Sequence, residues 1–205
     1  MKKQKKNSEA ILNIAAGNIA ALSDTNKQFD DYFMISNDIS YFDGTDSDVI
    51  ESEYFKWQEN KNEKIHMICT MDTFEFMSRT VIMFDRICVY RFLEHVKRTD
   101  VLYFLYLISR VLKSDGLLDI IVPNYTILAN RILNEKVYDS NFEKEDILTT
   151  TELLNDKEDP HCSIWTKDRI EKFLTLEDRF EIDKIDESYN FDGRDIYIRV
   201  LARRV

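Results

Sequence analysis

Three small or polar positions follow directly on apolar runs early in the chain, and each suggests a chemistry. The turn Ala15-Ala16-Gly17-Asn18 closes a run at residues 10–15. Its small side chains let a ligand approach the backbone, and a helix starting there has amides free to donate. Asp38, followed by Ile39, comes after the run at 32–36. It lies about 20 residues beyond Gly17, the interval at which an acid meets the ribose hydroxyls of a nucleotide-like ligand. Met71-Asp72-Thr73 follows the run at 65–69. There Asp72 is an acceptor for an adenine amino group, an N-cap for a helix over 73–78, or both.

A second set lies further along. Glu94 and His95 adjoin after the run at 86–90, an acid beside an imidazole that exchanges protons near neutral pH. For a substrate that must lose a proton, His95, Glu94 and His161 are the candidate catalytic bases, with Tyr125 and Trp165 as aromatic walls. Asn124, Tyr125 and Trp165 are the candidate substrate contacts, although Pro123-Asn124 also reads as a rigid strand exit. The nearest approach to metal-ligand spacing is His161-Cys162, with no second pair in the sequence, so no metal ion is expected.

These positions need elements to hold them. The runs at 10–15, 32–36, 65–69, 86–90 and 117–122 are apolar on both faces and separated by helix-length segments, the rhythm of buried parallel strands. A helix is predicted over 100–113, where Val101, Leu105, Ile108 and Leu112 form a stripe, with Thr99 or Asp100 capping its start and Gly116 turning the chain after it. Beyond Pro123 a helix is predicted at 127–133, then a polar stretch at 134–160 that reads as an insertion over the sheet's carboxyl edge, a lid or substrate cap. A helix at 167–174 and strands at 179–185 and 195–202 follow, the strands joined through Asp192-Gly193, a hairpin step.

At 205 residues, 44% hydrophobic and 32% charged, the chain has the size and balance of one globular domain spanning 1–205. Its formal net charge of −10 argues against broad nucleic-acid binding, which depends on neutralising phosphates. There is no apolar run long enough for a membrane helix. Cys69, Cys88 and Cys162 are scattered, as in a reducing cytosol, so a cytoplasmic location is expected.

The order of these features resembles the class I S-adenosylmethionine-dependent methyltransferases, particularly the methyltransferase type 11-like family. Leu93-Glu94-His95 is similar to that family's sequence after its fourth strand, and Arg110-Val111-Leu112-Lys113-Ser114-Asp115-Gly116 is similar to its turn before the fifth. The resemblance implies an α/β, Rossmann-like, seven-stranded and mostly parallel sheet in the order 3-2-1-4-5-7-6, strand 7 antiparallel, with helices on both faces. It implies S-adenosylmethionine as cofactor and S-adenosylhomocysteine as product. Ala15, Ala16, Gly17 and Asn18 would hold the methionine portion, Asp38 and Ile39 the ribose, Met71, Asp72 and Thr73 the adenine, and Tyr90 and Arg91 the edge near the sulfonium. The expected partner is a methyl acceptor, a small molecule or a protein, met by a monomer or homodimer. The family's Gly-x-Gly-x-Gly turn keeps only its middle glycine, Gly17, here, and Ile19 stands at the helix start. A second expectation is therefore an inactive protein of this fold, serving as a binding or assembly subunit.

Overall fold

A computed structural model describes residues 9–14, 32–37, 55–59, 65–69, 71–133, 161–191 and 194–205. Ala15, Ala16, Gly17, Asn18, Asp38, Ile39 and the polar stretch 134–160 lie outside the described residues.

Among the described residues, eight strands share one sheet: β1 (Glu9–Ile14), β2 (Tyr32–Asn37), β3 (Phe55–Glu59), β4 (Ile65–Cys69), β5 (Phe84–Tyr90), β6 (Leu112–Pro123), β7 (Phe180–Phe191) and β8 (Arg194–Arg204). Their order is β3-β4-β2-β1-β5-β6-β8-β7. The neighbours from β4 to β6 run parallel, and β8 runs antiparallel to both β6 and β7. Without β3 this is the expected seven-strand order with its inverted penultimate strand. β3 adds an antiparallel edge beside β4. No apolar run marks it in the sequence, since Phe55-Lys56-Trp57-Gln58-Glu59 has only two apolar residues.

Among the described residues, four helices accompany the sheet: α1 (Thr73–Arg79), α2 (Val101–Val111), α3 (Tyr125–Leu133) and α4 (Lys167–Thr175). Alternate strand residues point to opposite faces. Leu12, Ile14, Val89, Ile120 and Val200 form one core with Phe76 of α1, Phe104 and Ile108 of α2 and Leu174 of α4. Each such buried side chain contributes roughly 1.5–3 kcal/mol. On the other face, Ile121 and Tyr197 pack with Leu128 of α3, so helices cover both faces.

The junction between α2 and β6 differs from expectation. The helix stops at Val111; Leu112 is already extended (φ −86°, ψ 135°), and it pairs with Phe84. Asp100 stands at the N-cap position without a side-chain cap bond, and its carboxylate instead accepts from the Thr99 hydroxyl at 2.9 Å. The residue with left-handed backbone in this stretch is Asp115, at φ 59°, rather than Gly116, and it lies where the pairing of β6 with β5 shifts register. Aspartate tolerates this left-handed region better than most residues. Gly116 is needed for space, since a Cβ there would lie 2.7 Å from the Lys113 carbonyl oxygen.

Candidate functional site

Ligands of open α/β sheets bind beyond the carboxyl ends of the strands, and in this chain the exits of β2, β4, β5 and β6 carry polar groups. Asn37 ends β2 fully buried. Its Nδ2 donates to the carbonyls of Cys69 (3.2 Å) and Met71 (2.7 Å), tying the β2 exit to the β4 exit. Its Oδ1 accepts no hydrogen bond from the described residues. Burial, the larger effect, raises the Cys69 thiol against the hydrogen bonds it makes with Met71 and Asn37. Asp72 is exposed and caps α1, its Oδ1 accepting from the Glu75 amide at 3.0 Å. Thr73 begins that helix, buried, and Met71 packs against the core.

At the β5 exit the chain bends through Arg91, an exposed residue at φ 53° whose amide donates to the Ile121 carbonyl at 2.8 Å. A non-glycine residue held there is an unfavourable conformation that the surroundings must enforce. The bend leads into Glu94, fully buried, and His95, half-buried. His161 arrives from far along the chain yet stands beside them. The amides of Cys162 and Ser163 both donate to the Glu94 carbonyl, at 2.7 and 2.9 Å, and the Ser163 hydroxyl donates to the Leu93 carbonyl at 2.9 Å. The His95 and His161 rings meet edge to face, centroids 4.8 Å apart. One ligand-capable atom from each of Glu94, His95 and His161 lies within 4.8 Å of the other two.

Tyr125, at the β6 exit, joins this group. Its hydroxyl is 2.7 Å from His161 Nδ1. Burial, then the charge of Glu94, pushes the phenol up to about 12, so it remains protonated at neutral pH. The fold thus gathers Glu94, His95, His161 and Tyr125, four of the residues singled out from the sequence.

Other expected contacts have structural work instead. Asn124 is buried; its Oδ1 accepts from the amides of Thr126 (3.0 Å) and Ile127 (3.4 Å), and its Nδ2 donates to the Glu187 carbonyl (2.7 Å). It caps α3 and fastens it to β7. Trp165 is 0% exposed, part of the main core, with its ring against Phe173 and the Arg169 guanidinium. It presents no surface to an acceptor, and its carbonyl accepts from the Tyr125 amide at 3.1 Å. The Tyr90 hydroxyl is taken by Asp119, to which it donates at 2.9 Å. Burial, with Cys88 and Asp119 beside it, holds that phenol far above the usual tyrosine range.

Sequence reasoning missed Asp119 and Asn37. Asp119 is the one charge inside the apolar run 117–122, and Asn37 immediately precedes Asp38; both were visible signals. Among the described residues, no helix is long and apolar enough to cross a membrane.

No family model and no curated protein matches the sequence. Solved structures do match its fold. A plantazolicin methyltransferase in complex with a triazolic desmethylPZN analogue and S-adenosylhomocysteine (SAH) superposes at a TM-score of 0.60 and 13% identity, over 97% of this chain and 78% of that one. A SAM-dependent methyltransferase from Methanosarcina mazei does so at 0.55 and 17%, over 98% and 94%. A mycolic acid cyclopropane synthase complexed with SAH and CTAB matches at 0.55 and 12%, over 87% of this chain but only 57% of its own length. The chain therefore has the class I methyltransferase fold.

Proposed function

We propose that this chain is an S-adenosylmethionine-dependent methyltransferase whose acceptor enters beside Glu94, His95, His161 and Tyr125. The observation that carries this reading is the placement of that polar group at the β5 and β6 exits of a sheet with methyltransferase strand order. Solved neighbours of this fold hold SAH.

The described exits suit a nucleoside. Asn37 offers a buried acceptor directly before Asp38, and Asp72 commits only Oδ1 to the α1 cap, leaving its second oxygen for an adenine amino group. Ala15, Ala16, Gly17 and Asn18 are assigned to the methionine portion and Asp38 and Ile39 to the ribose from their positions in the sequence. When bound, S-adenosylmethionine supplies a methyl group already activated for displacement. The chain has to orient the acceptor and exclude water. We assign acceptor orientation to Tyr125 and His161, and exclusion of water to residues 134–160 as a lid on a single domain in the cytoplasm. The acceptor is a small molecule or a protein.

Calorimetry and thermal denaturation with SAH test the reading. One-to-one binding and a raised melting temperature are expected, as for any ligand selective for the native state. No heat and no shift at millimolar SAH would instead support the second reading, a subunit that no longer catalyses. That reading is favoured by one feature, the replacement of two of the three turn glycines, leaving Gly17.

A further inference from the structure

We infer that Glu94, His95 and His161 form a binding site for a divalent transition-metal ion of the zinc class. Two imidazoles and one carboxylate are the donor set that favours such ions over magnesium or calcium, which prefer all-oxygen surroundings. Three protein ligands also leave at least one coordination position open, the arrangement of metal sites that act on a bound molecule.

The geometry is close to what an ion needs. The three ligand atoms lie within 4.8 Å of one another. Bonds of about 2.0–2.1 Å in a tetrahedral site would bring them to roughly 3.3 Å, a contraction that side-chain rotation can supply. The frame around them is set by backbone bonds. Glu94 and His95 are consecutive, the His95 amide donates to the Phe92 carbonyl at 2.9 Å, and the segment carrying His161 is bonded to the Glu94 carbonyl through two amides. None of the three therefore depends on a long loop to find the others.

His161 also has the partner expected of a metal-bound imidazole. Ligating histidines nearly always use their second nitrogen in a hydrogen bond that fixes tautomer and ring orientation. Tyr125 stands 2.7 Å from Nδ1. The tautomer in which Nδ1–H donates to the phenol oxygen carries its lone pair on Nε2. Sequence spacing gave no sign of this site, because His161 is remote from Glu94 and His95 in the chain.

The ion's open positions favour a class of acceptor. An oxygen ligand such as a hydroxyl would be held and acidified there, leaving His95 a ligand instead of a free base. This extension to the acceptor rests on the methyltransferase reading; the metal site does not.

The test is titration of the 205-residue chain with cobalt(II), followed by absorbance, with zinc(II) as competitor and SAH calorimetry on the same samples. One equivalent of cobalt giving the intense visible bands of a low-coordinate site, displaced by zinc, is expected. His161→Gln and His95→Gln should each weaken binding at least a hundredfold, and Tyr125→Phe about tenfold. Cys162→Ser should leave the spectrum unchanged. Circular dichroism identifies any variant that fails to fold, in which case the other histidine variant decides. A spectrum of hydrated cobalt only, a signal that survives in both histidine variants, or one that disappears with Cys162 would overturn the site. Cobalt binding without SAH binding would overturn the methyltransferase reading alone, and SAH binding without cobalt binding the metal site alone.

Discussion

Arg199 holds both carboxylate oxygens of Asp119, with Nε 3.0 Å from Oδ1 and Nη2 2.7 Å from Oδ2, and Asp119 has no exposure to solvent. The pair links β6 to β8. Tyr90 donates to the same carboxylate from β5, and the Arg199 guanidinium lies over the Tyr189 ring of β7, 4.9 Å from its centroid, while Nη1 donates to that tyrosine's hydroxyl at 3.2 Å. One polar network thus crosses four adjacent strands. Removing one member of a buried ion pair leaves the other charge uncompensated. Arg199→Met is expected to lower stability by about 3–5 kcal/mol, read by urea unfolding. The double variant Asp119→Leu/Arg199→Met should recover part of that loss. A double variant no more stable than Arg199→Met would mean that the arginine acts by packing and not by charge.

The two roles of Asp72 separate by substitution. Its carboxylate caps α1, and loss of a cap costs about 1 kcal/mol. Asp72→Ala should be destabilised by that amount, whereas Asp72→Ser should keep its stability. Under the proposed function, both variants bind SAH more weakly than the wild type. Unchanged SAH affinity in Asp72→Ser would confine the residue to its cap.

Alkaline pH should weaken the fold. Burial, then the neighbouring charge of Asp119, pushes the Cys88 thiol from 9.0 up to about 12, and Tyr125 is raised from 10.0 to about 12. Above pH 9 the unfolded chain releases protons that the native chain retains, so stability falls with rising pH. The stabilisation is complete below these unfolded values and is lost as the pH climbs toward the folded ones. The slope from Cys88 alone rises from about 0.7 kcal/mol per pH unit at pH 9 toward about 1.4 well above it. Cys88→Ala should flatten the fall between pH 9 and 10, measured by denaturant unfolding. An equal slope in both proteins would show that other groups govern it.

Residues 134–160, proposed as the lid, should gain hydrogen-exchange protection when SAH fills the pocket. Exchange as slow as that of β1 and β5, with no response to SAH, would mark the segment as a structural or partner-binding extension.

The core strands were legible because burial on both faces leaves a dense apolar run. The run at 65–69 coincides with β4, and those at 10–15 and 32–36 are within one residue of β1 and β2 at each end. Edges were harder. β3 is largely polar, and β7 continues to Phe191, well beyond the expected 185, by pairing with β8 through register shifts rather than by an apolar pattern. The hairpin itself was legible, since Phe191 pairs with Arg194 on either side of Asp192-Gly193. Helix starts and strand exits were read by residue type. That picked out Glu94, His95, His161 and Tyr125, which the fold brings together, and also Trp165 and Asn124, which are a core indole and a helix cap, because residue type alone does not separate these environments.

The position of β8 in the sheet has a bearing on biosynthesis. It is an interior strand, flanked by β6 and β7, yet it comes after every other described strand in the sequence. During vectorial synthesis β6 must therefore wait with one backbone edge unsatisfied while α3, α4 and β7 leave the ribosome. An open edge of this kind is a template for wrong pairing. Until β8 emerges, that edge stays open to such pairing.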